Sequence, residues 1–125
     1  MKKLSDIYDA AYPGICMHEF VLTLERLKNE RGVSAMDVAK ALLDRGIHPP
    51  TMYFPLIVKE ALMIEPTETE SRETLDDAVA ALREIYGLAE TSPEILRNSP
   101  HTTPVRRPDE VGAARRPKLR YGFGD

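Results

Sequence analysis

The spacing of apolar positions changes along the chain, and each change marks an element. Leu4, Ile7, Tyr8 and Ala11 recur at three and four residues and predict two helical turns, which Pro13-Gly14 halts. From His18 to Leu24 the period drops to two, with Phe20, Leu22 and Leu24 on one face and Val21 and Thr23 on the other, which predicts a strand. Arg26 to Gly32 reads as a polar loop. A second helix then carries signals at both ends. Ser34 is a good N-cap, Asp37 lies three residues on, and Val33 with Val38 supplies a hydrophobic staple. Val38, Ala41, Leu42 and Arg45 share one face, and Gly46 closes the helix with Ile47 packing back on Leu42.

The densest apolar run lies in the centre, from Pro50 to Ser71. Its aromatic and β-branched first half suits a buried pleated surface, and Pro50, Pro55 and Pro66 cut it into two short strands, the second over Ala61 to Glu65. The cluster Glu65, Thr67, Glu68, Thr69, Glu70 and Ser71 that follows must lie at a surface or line a cleft, because no core could hold it unpaired. It also offers two overlapping N-caps, at Thr67 and Ser71, for a third helix. There Leu75, Ala78, Val79, Leu82, Ile85, Tyr86 and Ala89 keep a 3.6-residue period. Pro93 after Ser92 starts a short turn to Arg97, and the rest is a Pro- and Arg-rich strap without period.

Helix, strand, helix, strand, strand, helix, strap is the order that results. It predicts an α+β two-layer sandwich, a short and mainly antiparallel sheet with helices on one face. Residues 1–97 form the domain and 98–125 the strap. A chain of 125 residues has room for one modest core. The formal net charge of −3 hides an asymmetry: residues 1–97 carry 11 Lys and Arg against 17 Asp and Glu, whereas 98–125 carry 6 against 3. The tail lacks aromatic interleaving before Tyr121 and is broken by Pro104, Pro108 and Pro117, so it reads as a strap on an acidic protein surface and not as a nucleic-acid arm. No apolar run reaches the ~20 residues of a membrane helix, and an acid at position 6 replaces a signal segment, which points to the cytoplasm. The one cysteine, Cys16, fits a reducing compartment and reads as a small semi-buried hydrophobe at a strand entrance.

Chemistry is sparse. There is no phosphate loop, zinc pattern or nucleophile triad, and His18, His48 and His101 are too scattered to be metal ligands. A charged helix N-terminus accounts for Glu65, Glu68 and Glu70 more simply than an acid–base pair does.

The run HPPTMYFPLIVKEALMIEPTETESRETLDDAV at residues 48–79 resembles the C-terminal part of the P-protein of the glycine cleavage system, the pyridoxal-phosphate glycine dehydrogenase (decarboxylating), in its subunit 2 form. CMHEFVL at 16–22, SPHTT at 99–103 and AARRP at 113–117 resemble the same family in the same order. The resemblance implies the small C-terminal domain of a fold type I pyridoxal-phosphate enzyme. Its partners would be the large domain and partner subunit, with a lipoylated carrier protein accepting the aminomethyl group. It also implies pyridoxal phosphate in the complete enzyme, held by a lysine that follows a histidine. This chain has no His-Lys pair, so no cofactor is expected on it alone and no residue is assigned a catalytic role. By analogy of fold, the end of the last strand looks into the substrate cleft, which points to Glu65, Pro66, Thr67 and Glu68, with His101 as a further candidate. An isolated domain of this kind should expose an apolar patch and tend to self-associate. The alternative is a non-catalytic interaction module reused from the same domain.

Overall fold

A computed structural model describes residues 1–123. In chain order its elements are β1 (Asp9–Ala10), β2 (Phe20–Thr23), α1 (Glu25–Arg31), α2 (Ala35–Leu43), β3 (Thr51–Met52), β4 (Ala61–Ile64), α3 (Arg72–Thr91), α4 (Pro93–Arg97) and α5 (Glu110–Arg115). The strands form one sheet in the order β1-β2-β4-β3, every pair antiparallel. Phe20 pairs with Ile64 and Leu22 with Leu62. Because side chains alternate across a strand, Phe20, Leu22, Leu62, Ile64 and Met52 share the face that meets Val38, Leu42, Leu82 and Ile85 of the helices. The predicted α+β sandwich is present, with four strands where three were expected.

The fourth strand corrects the reading of the N-terminus. Residues 4–8 make a single turn, with Tyr8 N donating to Leu4 O at 2.9 Å, and Asp9–Ala10 then pairs with Leu22 and Thr23. Leu4 and Tyr8 are buried, so the apolar spacing was real, but sheet pairing takes over after one turn. Tyr8 donates its hydroxyl to the Leu82 carbonyl at 2.9 Å and stands edge-on to Tyr86. Burial, and then Tyr86, push its phenol far above the ordinary range, so it stays a neutral donor.

The predicted loop at 26–32 is helix α1. Only Leu27 is buried within it, too little for a periodic signal. Ion pairs Arg26–Asp9 and Arg31–Glu90 fasten the segment, and Gly32 at φ 69° ends it, its N–H bonded to Lys28 O. Helix α2 follows the prediction closely. Ser34 Oγ accepts from Asp37 N at 3.2 Å, while Asp37 Oδ2 accepts from Ser34 N and Ser34 Oγ at 2.8 and 2.7 Å. At the other end Gly46 takes φ 70° and Ile47 N reaches Leu42 O. Ser34→Ala is expected to cost about 1–2 kcal/mol, because a cap is lost and Asp37 loses a donor. A thermal melt of the variant that coincides with the parent's would refute the cap.

The central run divides differently from its reading as core. Leu62 and Ala61 are fully buried in β4, but β3 stops after two residues, and the following tip exposes Phe54, Leu56 and Ile57. Helix α3 begins after the Ser71 cap, Thr74 N donating to Ser71 Oγ at 3.1 Å, and buries Ala81, Leu82, Ile85 and Ala89. Thr67, the other predicted cap, instead closes a turn with Glu70 N on its carbonyl. The strap is less plain than expected. Ser99 and Pro100 are buried in the body, and α5 is a short exposed helix capped by Asp109. Among the described residues no helix is long and apolar enough to cross a membrane.

Candidate functional site

Strand direction gathers one set of candidates at one end of the sheet. β4 runs antiparallel to β2 and ends at Ile64, beside Phe20, so Glu65, Pro66, Thr67 and Glu68 leave the sheet where the 11–19 loop enters β2. All four are exposed. Thr67 Oγ1 and Thr69 Oγ1 lie 2.8 Å apart, and Thr67 O accepts from Glu70 N, which fixes the turn that presents them. Ile15, Cys16 and Met17 at the same end are exposed, so Cys16 is a loop residue and not the semi-buried hydrophobe expected. His18, also exposed, pairs with Glu19 at 2.5 Å. This end of the sheet is therefore a wet acidic lip beside an apolar loop.

His101 belongs to a different place. Its backbone N–H donates to Asp44 Oδ1 at 2.6 Å, and the same oxygen accepts from Thr102 N and Thr102 Oγ1 at 2.8 and 2.9 Å. Its ring Nε2 lies 2.9 Å from Ile95 O; a carbonyl only accepts, so Nε2 carries the proton in this contact. His101 thus lines a hollow of about 330 Å³ with Asp44, Arg45, Glu84, Leu88 and Ile95, and none of Glu65, Thr67 and Glu68 lines it. The structure does not bring His101 to the acidic lip through this hollow. No lysine lines it, and Lys3 and Lys59 are held in surface pairs with Asp76 and Glu25.

Asp44, which the sequence did not single out, is the anchor of this region. Burial alone would raise its carboxyl, but the N–H groups of Thr102 and His101 and the Thr102 hydroxyl outweigh that and hold it below the usual range. Beside it, the hydrogen bond from Arg45 lowers Glu84. A carboxyl depressed in the folded state contributes stability that is complete above its unfolded value, about pH 4, and fades as pH falls through the lowered one. The protection of the His101 and Thr102 amides, taken relative to the intrinsic exchange rate at each pH, should therefore fall below about pH 4. Asp44→Asn should show fast exchange already at neutral pH, without the acid step. If Asp44→Asn keeps the parent's acid step, Glu84 is responsible instead.

The second feature missed from sequence is Arg107. Its Nη1 sits 2.8 Å from Asp37 Oδ1, its Nε donates to Ser99 O at 2.6 Å and its Nη2 to Leu96 O at 3.1 Å. The strap is thus clamped to the capping box of α2.

Residues 1–101 match the family model described as "Glycine dehydrogenase, C-terminal domain". The chain belongs to this family. It is 59% identical over 122 residues to a Thermosipho melanesiensis protein named "Probable glycine dehydrogenase (decarboxylating) subunit 2", a match that covers 98% of this chain and 25% of that one. Relatives with the same name in Treponema denticola and Listeria innocua are 60% and 55% identical, covering 96% and 97% of this chain and 25% of theirs. The chain spans about a quarter of the length of the relatives it matches. The resemblance carried by residues 48–79 is thereby established across the whole domain.

Proposed function

We propose that this domain forms the wall of the active-site cleft in a glycine dehydrogenase (decarboxylating) of the glycine cleavage system, in the cytoplasm, and that it supplies no reactive group itself. The observation that carries the reading is the match of nearly all of this chain to only a quarter of proteins bearing that name. In this reading the Glu65–Glu68 lip borders the cleft, and His101 serves as an anchor of the strap. The acidic lip carries no arginine to grip a carboxylate, in keeping with a substrate carboxyl that departs as carbon dioxide. The large domain, the partner subunit and the lipoylated carrier that takes the aminomethyl group are its working partners.

Pyridoxal phosphate belongs to the complete enzyme. The residues present here do not fit it, because a cofactor held through its aldehyde requires a lysine in a pocket, and no lysine lines the hollow beside His101. Two assays test the proposal. The purified chain with added pyridoxal phosphate should show no absorption band of lysine-bound cofactor and no glycine decarboxylation. Grafted in place of the matching quarter of the Thermosipho melanesiensis relative, with its companion subunit, it should support decarboxylation. An inactive graft that is folded, or an active isolated chain, would overturn the reading.

A further inference from the structure

The turn between β3 and β4 is the part of this molecule that composition assigns to a core and geometry assigns to the outside. From Thr51 to Val58 there is no charged residue. Phe54 is 53% exposed, Leu56 87% and Ile57 85%. Soluble monomers rarely display contiguous apolar surface of this kind without a binding role.

The turn is nevertheless held firmly. Tyr53 N donates to Ala61 O at 2.9 Å and Val58 N to Pro55 O at 3.0 Å. Lys59 O accepts from Thr23 Oγ1 at 2.8 Å, Glu60 O from Leu24 N at 3.0 Å, and the Glu60 carboxylate from Ala35 N at 2.7 Å. Tyr53 and Glu60 stand at φ 57° and 48° at its two ends. Non-glycine residues occupy that region at a cost, and keep it where the surroundings impose it. The three apolar side chains are therefore presented outward on a backbone fixed in advance, which lowers the ordering cost of docking.

The length of the matched relatives selects the occupant. Three-quarters of each lies outside the stretch that this chain matches, so in those relatives a large body of polypeptide adjoins the same domain. We propose that residues 53–58 are the knob by which this domain docks on the remaining three-quarters of the subunit 2 polypeptide, in a neutral apolar recess there. This inference rests on the reading of the domain as part of that enzyme and adds the surface that joins it.

The experiment compares hydrogen exchange at the Leu56 and Ile57 amides in two proteins, the chain alone and the same chain grafted into the Thermosipho melanesiensis relative with its companion subunit. Exchange in the graft should be slower by tenfold or more. Leu56→Ser combined with Ile57→Ser should restore fast exchange in the graft and leave the melting of the isolated chain unchanged, since both side chains are already in water. Equal exchange in the two proteins overturns the knob, as does protection of the isolated chain that grows with its concentration, which would make a second copy the occupant. The two ideas fail separately: an active graft with an open turn removes the knob alone, and a protected turn in an inactive graft supports the knob while removing the proposed function.

Discussion

Leu82→Asp should abolish cooperative folding. Leu82 is 5% exposed in the seam between α3 and the sheet, and its carbonyl receives the Tyr8 hydroxyl. Truncating a buried leucine costs about 2–5 kcal/mol, and an unpaired carboxylate in the same place adds several more. The sum rivals the roughly 5–15 kcal/mol that hold a domain of this size together. Circular dichroism at 25 °C should show loss of the sigmoidal melt. Leu75→Asp, in the same helical stripe but 36% exposed, should change stability far less. If Leu82→Asp melts like the parent, the seam is not where the helix is fastened.

Arg107→Met should cost about 3 kcal/mol, the low end for removing one partner of a buried ion pair, because the Arg107 side chain is 35% exposed while that of Asp37 is only 7% exposed. The loss has two parts. Asp37 keeps its buried charge with one oxygen stripped of its cation, and the carbonyls of Ser99 and Leu96 lose their donor. For a chain of this length the melting temperature should fall by roughly 10 °C, and protease cleavage between residues 98 and 107 should accelerate. Asp37→Asn in the Arg107→Met background should recover part of the loss, since the stranded charge is gone. An unchanged melting temperature would show that the guanidinium does not fasten the strap.

What could be read from the sequence divides by the range of the interactions concerned. Helix α2 was legible to the residue, because Ser34, Asp37, Gly46 and Ile47 act on neighbours within four or five positions. Helix α1 was not, because one buried leucine gives no period and its fastenings reach Asp9 and Glu90. Strand β1 was hidden for the same reason, its partners lying at Leu22 and Thr23. At the candidate site, the acidic lip could be placed at a strand end from its prolines and carboxylates. Asp44 and Arg107 could not be singled out, since His101 lies 57 positions from the first and Asp37 lies 70 from the second. The tip at 53–58 misled for a physical reason. A surface built to be covered by another body has the composition of an interior, and only three-dimensional placement separates the two.

The two outer strands, β1 and β3, are only two residues long each. A ribbon that short offers a visiting strand too few backbone donors and acceptors in line to template its addition. A second copy meeting the sheet edge-on therefore finds no ladder to extend, and concentrated samples of the isolated domain should not grow into fibrils.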